Sequence, residues 1–181
     1  MANRLVVRPV TAATWPDLVQ LFEARGSPHY CWCSPHRFAD AHLMDNAAKQ
    51  AALHGLVSGG VPVGVLAYVA GAPVGWCSVA PRESYVKLGR SRTMARKTDA
   101  HTATWVVLCF FVARTARGAG VSGALLAGAV KYARAEGAEV IEGYPHDTAG
   151  ISATHRGHSA VFKAAGFHPE GTRWVLQPRG R

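Results

Sequence analysis

Nine apolar residues, Trp105 to Ala113, run without a polar interruption into a glycine-bearing turn. A run that is apolar at both parities reads as a strand covered on both faces, and therefore central in its sheet. The full segment, WVVLCFFVARTARGAGVSGALL from Trp105 to Leu126, then predicts strand, Gly-rich turn and helix in succession. The first N–H groups of a helix have no partner inside it, and the helix dipole is positive there. Gly118 and Gly120 permit positive φ and close approach of a ligand to the backbone, and Arg117 adds a permanent charge. The product is an anion cradle suited to a phosphate or a diphosphate.

The rest of the chain supplies elements for such a turn to sit on. Leu5–Val10 reads as a strand, and Trp15, Leu18, Val19 and Phe22 mark one face of a helix. Thr14 with Asp17 is its expected start, Pro16 fits its first turn, and Gly26-Ser27-Pro28 stops it. Ala39–Val57 predicts one helix or two short ones. Val61–Val69 and Pro73–Val79 predict a hairpin through Ala70-Gly71-Ala72. Residues 81–101 form a polar, basic excursion. Thr102–Ala113 is the central strand, Val121–Ala135 a helix, Glu139–Tyr144 a strand, Gly157–Ala165 a short helix and Trp174–Leu176 a closing strand. The order β-α-α-β-β-β-α-β-α-β predicts one α/β domain with a mixed sheet over residues 1–181.

Composition narrows the class. A chain of 181 residues buries roughly 70% of its unfolded surface, so its core needs neither disulfides nor metal. Twenty Lys+Arg against eleven Asp+Glu leave a net charge of +9, which predicts an anionic partner of unspecified kind. The apolar run is too short to span a bilayer, the N-terminus lacks a signal-peptide pattern, and the four cysteines form no secreted framework. These features predict a soluble, reduced, cytoplasmic protein that uses no membrane. The basic stretch Arg82–Lys97 contains only Tyr85 as a stacking aromatic, which argues against nucleic acid.

Three phosphate-binding patterns fit the turn by letter. A Walker loop requires Gly-Lys-Ser/Thr, which is missing. Gly118, Gly120 and Gly123 spell G-x-G-x-x-G with Glu142 downstream, but five residues separate the strand from Gly118, whereas the dinucleotide fingerprint follows its strand directly. The third pattern, R-x-x-G-x-G/A, resembles the loop of the GNAT acetyltransferases. Arg117-Gly118-Ala119-Gly120-Val121-Ser122 matches it, with Ser122 where the superfamily usually has Gly or Ala. Phe110-Phe111-Val112 resembles the end of the family's fourth strand, and Ala124-Leu125-Leu126 the start of its third helix. Ser159-Ala160-Val161-Phe162 with Ala165-Gly166-Phe167 resembles its last helix and exit. The resemblance covers nearly the whole chain, the N-terminal third in element order only.

The resemblance implies acetyl-CoA as co-substrate, without a metal. It implies that Phe110, Phe111 and Val112 flank the pantetheine arm, that the amides from Arg117 through Ser122, with Gly123 behind them, hold the diphosphate, and that strands ending near Val112 and Tyr144 splay to admit the thioester. Many relatives are dimers, which implies a homodimer as one candidate assembly.

Acyl transfer to an amine needs a neutral amine, a donor for the oxyanion and a fate for the leaving thiolate. The Tyr that often protonates the thiolate in this family is replaced by Phe162, leaving Ser159 or Tyr144 as substitutes. No carboxylate lies in Trp105–Val112. Glu142 and Tyr144 share a strand face, followed by His146 and Asp147. Either Glu142 or His146 takes the amine proton, or Glu142 is instead a structural partner of a basic neighbour. Tyr30, Trp32 and Tyr85 are candidates for the acceptor wall, with core packing as the other reading of Trp32. Cys31, Cys33 and His36 lack the fourth ligand of a zinc site. Cys109 lies in the buried strand, where thiols are usually inert. The expectation is direct attack by a small-molecule amine in a ternary complex, against three rivals: an acetyl-CoA-binding regulator without catalysis, a protein N-acetyltransferase, and a basic nucleic-acid-binding domain.

Overall fold

A computed structural model describes residues 5–97, 99, 101–147 and 154–178. Its strands are β1 Leu5–Pro9, β2 Val65–Val69, β3 Ala72–Pro81, β4 Thr104–Val112, β5 Val140–Gly143, β6 His168–Glu170 and β7 Arg173–Leu176. Its helices are α1 Trp15–Glu23, α2 Ser34–Arg37, α3 Asn46–Ser58, α4 Val86–Arg90, α5 Val121–Ala135 and α6 Ser159–Ala164, with 3-10 turns at Arg82–Ser84, Arg114–Ala116 and Thr154–Arg156. The strands make one mixed sheet in the order β1-β2-β3-β4-β5-β7-β6. As its apolar pattern requires, β4 is central: antiparallel to β3 and parallel to β5.

Each face of the sheet is closed by helices whose apolar stripes match it. Leu125, Leu126, Ala129 and Ala133 of α5 pack on Val65, Ala67, Cys77, Val79 and Val107. On the other face Leu18, Leu21 and Phe22 of α1 and Leu53 of α3 meet Leu66, Tyr68 and Trp76, with Trp32 among them. Burying a Leu or Phe side chain this fully stabilises by about 1.5–3 kcal/mol. A smaller cluster joins Tyr85 and Leu88 to Val106, Leu108 and Tyr144.

Two irregularities interrupt the pairing of β4. Its ladder with β5 runs only from Thr104↔Val140 to Val107↔Gly143, so from Leu108 onward that edge of β4 has no neighbouring strand. On the β3 side the register shifts: Ser78 faces Cys109 and Val79 faces Val107, which leaves Leu108 outside the ladder as a bulge.

Several boundaries differ from the sequence reading. Ala39–Val57 is not helical throughout: the helix begins at Asn46, where Asp45 Oδ1 accepts from the Ala48 N–H at 2.8 Å. Thr14 does not cap α1 with its side chain, because its hydroxyl donates to Pro9 O at 3.0 Å. Asp17 accepts the Tyr68 hydroxyl at 2.8 Å instead. The basic excursion holds the Arg82–Ser84 turn and α4, and the C-terminus adds β6, whose three residues are all exposed and so carry no apolar alternation.

Candidate functional site

The bulge and the early end of β5 open one cleft of about 1210 Å³ along β4. Arg117 and Ser122 stand at one end; Leu108–Val112 form one wall and His155–His158 with Val161 the other. Cys31, Cys33, His36, Ser78 and Tyr85 close the far end.

At the first end Gly120 caps α5 with φ +74° and Gly118 has φ +77°, conformations that a side chain would strain. The first main-chain bond of α5 runs from Ala124 N–H to Gly120 O at 3.1 Å. The N–H groups of Val121, Ser122 and Gly123 therefore precede the helix's own ladder. The Arg117–Gly120 turn is exposed, and a Cβ at Gly118, Gly120 or Gly123 would meet nothing within 4 Å. Arg117 Nε donates to Val112 O at 3.2 Å, which ties the cation to the end of β4. Ala119 completes the turn, while the Val121 side chain points into the core and leaves only its backbone to the cradle.

At the far end the polar floor rests on Arg37, 2% exposed. Its Nη2 donates to Val63 O at 2.7 Å, Ser78 Oγ at 3.1 Å and Tyr85 Oη at 3.2 Å, and its guanidinium lies 4.5 Å from the Tyr85 ring centroid. His36 is pushed down to about 4, first by burial and then by Arg156, His155, Lys87 and Arg37. Trp76 Nε1 donates to Cys33 Sγ at 3.1 Å. No Asp or Glu lines the cleft among the described residues.

The structure distributes the candidate residues unevenly. Phe110, Phe111, Val112, Arg117 and Ser122 line the cleft; so do Tyr30, 66% exposed at its rim, and Tyr85 in its floor. Trp32 does not: it is fully buried, its indole donates to Asn46 Oδ1 at 2.9 Å, and its ring packs on Trp15 and Phe22. It is a core residue because the chain turns inward through two left-handed residues, Trp32 and Cys33.

Glu142 is also absent from the cleft wall. It is fully buried and clamped between Arg82 Nη1 at 2.6 Å and Arg173 Nη1 at 2.5 Å. Both carboxylate oxygens are occupied by guanidinium groups and neither reaches the cleft, which is the arrangement of the ion-pair reading. Tyr144 does share the Glu142 face, and its hydroxyl donates to Glu142 Oε2 at 3.0 Å while accepting from Arg82 at 3.0 Å. Burial first, then Glu142, push it up to about 12. The Ser159 hydroxyl donates to Asp147, which also accepts the Ser159 N–H at 2.9 Å. His146 is exposed, anchored through its backbone to Gly157 O at 3.0 Å, and not on the cleft wall.

Sequence reasoning missed Arg37 and gave His158 no role. His158 lines the cleft with Nδ1 3.8 Å from Asp147 Oδ1. Neither residue belongs to an apolar period or a local motif; their sites are assembled by long-range contacts. Phe162, in the position of the missing Tyr, is fully buried with its ring 6.1 Å from Phe110 and 5.1 Å from Phe167. Among the described residues no group of three His, Cys, Asp or Glu is placed to hold a metal ion, and no helix is long and apolar enough to cross a membrane.

Comparison with known proteins bears on this geometry. The model of the acetyltransferase (GNAT) family matches residues 15–151. No curated protein matches the chain. A ribosomal-protein-alanine N-acetyltransferase from Brucella melitensis superposes with TM-score 0.56 at 20% identity, covering 95% of this chain and 99% of its own. A GNAT family acetyltransferase from the same organism, solved in complex with acetyl-CoA, superposes at 0.53 with 14% identity, covering 99% and 94%. The aminoglycoside N-acetyltransferase AAC(6')-Iy in complex with CoA gives 0.58 at 17% identity, covering 100% and 97%. At these identities the likeness is one of fold.

Proposed function

The chain belongs to the GNAT family of acetyltransferases, and from that premise we propose that it acetylates the amine of a small molecule with acetyl-CoA, by direct attack while both are bound. The observation that carries this reading is the continuity of one cleft from the Arg117 turn to the Tyr85 floor. The diphosphate takes the main-chain N–H groups from Gly118 to Gly123 together with Arg117. The pantetheine arm follows Phe110, Phe111 and Val112 along the edge of β4 that β5 leaves open. That lays the thioester beside Leu108. Standing outside both ladders, the Leu108 N–H is the donor for the developing oxyanion.

The proton of the attacking amine passes to His158, backed by Asp147; Glu142 is held in ion pairs and His146 lies off the cleft wall. The CoA sulfur departs as a thiolate; with a thiol pKa near 8.5 it needs no acid at the Phe162 position. Among the described residues the lining holds no carboxylate but does hold Arg117, Arg156 and histidines, which favours an acceptor with a single amine over a polyamine. Steady release of CoASH with monoamines, reduced at least about tenfold by His158→Gln, supports this reading. Binding of acetyl-CoA with no turnover on any amine favours the regulatory alternative, which the Phe162 departure keeps alive.

A further inference from the structure

Direct attack by an amine leaves unused the sulfur chemistry in the cleft floor. Cys33 Sγ accepts the Trp76 indole N–H at 3.1 Å, and Cys109 packs against the same core cluster as Cys33. Close by, Arg37 carries a guanidinium that is 2% exposed, spends Nη2 on Val63, Ser78 and Tyr85, and keeps Nε and Nη1 buried with no hydrogen-bond partner. No Asp or Glu pairs with it among the described residues. A cation withdrawn from water in this way calls for an anion, and Cys33, four residues before Arg37, is a floor thiol whose sulfur already accepts the Trp76 N–H.

We propose that Cys33 is a thiolate modification site, open through the cleft to hydroperoxides, with Cys109 as the thiol that resolves its oxidised form into a Cys33–Cys109 disulfide. The two residues sit on different elements, the entry to α2 and the middle of β4, and both line the cleft. Ionisation follows the same division. Cys33 is drawn down to about 7, chiefly by the Cys109 hydrogen bond and then by Arg37 against its burial. Cys31 is pushed up to about 12 by burial and by Cys33. Cys77 is pushed well up by burial and lies on the opposite face of the sheet, in the α5 core.

The steps balance. The Cys33 thiolate attacks the terminal peroxide oxygen, the O–O bond breaks, and the alkoxide or hydroxide leaves and takes a proton from solvent. Cys33 is then a sulfenic acid. The Cys109 sulfur attacks the Cys33 sulfur, the S–S bond forms, and the hydroxyl leaves as water with the Cys109 proton. The thiol pair loses two electrons and the peroxide gains them.

Exposure and thiolate character make opposite forecasts, since Cys31 is the more exposed and Cys33 the more acidic. The test treats the reduced full chain with an equivalent of hydrogen peroxide, blocks remaining thiols with N-ethylmaleimide and maps the peptides by mass spectrometry. The expected result is a dithiothreitol-reversible Cys33–Cys109 link with Cys31 and Cys77 blocked. Cys109→Ser should instead leave a sulfenic acid on Cys33 that dimedone traps, and Cys31→Ser should change nothing. Arg37→Gln, with folding checked by circular dichroism, should slow oxidation a few-fold by lowering the thiolate fraction of Cys33. First oxidation of Cys31, a Cys31–Cys33 link, or four thiols still free would each overturn the proposal; the Cys109→Ser arm decides it even if Arg37→Gln does not fold.

Discussion

Glu142, Arg82 and Arg173 are three charges with almost no water among them, and each is tolerable only because the others are there. Glu142→Gln should therefore lower stability by about 3–5 kcal/mol, the usual effect of stranding a buried charge, read as a shift in the urea midpoint. A base role predicts the reverse pattern, a loss of rate at unchanged stability. Glu142 could be singled out in the sequence, but its partners could not, because they come from 60 residues before it and 31 after. His36 supplies a test by pH. Its folded-state value, about 4, lies below the ordinary 6.5, so the unfolded chain binds more protons between those values and stability falls as pH drops through that window. In His36→Gln the melting temperature should fall less over the same interval. For Cys33, surrounded by Trp76, Ser78, Cys109, Arg37 and Cys31, alkylation by iodoacetamide should rise through about pH 7, where its thiolate forms.

Legibility of the elements depended on how far each is set by its own residues. Strand, turn and helix from β4 to α5 were readable because a doubly buried strand and a helix start both write local patterns; the helix runs over the expected Val121–Ala135. The segment from 39 to 57 is Ala-rich and without a clear stripe, so only the Asp45 cap marks where α3 starts. The exposed β6 owes its existence to pairing with β7. The close approach of α6 to β5 is likewise tertiary. A Cβ on Gly143 would come 2.1 Å from Phe162 Cε1. Gly143→Ala should accordingly cost about 1–3 kcal/mol by overpacking, measured by thermal melting, and should widen the cleft wall that α6 supports. Gly at this position reads from sequence as an ordinary strand residue, since the ring that excludes a methyl lies in another element.

Across the whole molecule, one sheet is paired on both sides of β4 up to Val107 and opened beyond it. The opening leaves an unpaired strand edge, and the α5 N-terminus is an electropositive, exposed end, the two features on which the proposed cofactor site rests. The net charge of +9 acts in the same direction by attracting a polyanion. Because much of that attraction is exposed to solvent, affinity for acetyl-CoA should weaken as salt rises. Calorimetric titration with acetyl-CoA and with S-acetyl-pantetheine, which lacks the diphosphate, on the wild-type chain and on Arg117→Ala reads the anchoring directly. If the Arg117 turn grips the diphosphate, acetyl-CoA binds far more tightly than the truncated thioester. Arg117→Ala then weakens acetyl-CoA about tenfold, as expected for one lost charge-assisted contact, and leaves S-acetyl-pantetheine unchanged. Equal affinities for the two thioesters, or indifference of acetyl-CoA to Arg117→Ala, would contradict that anchoring.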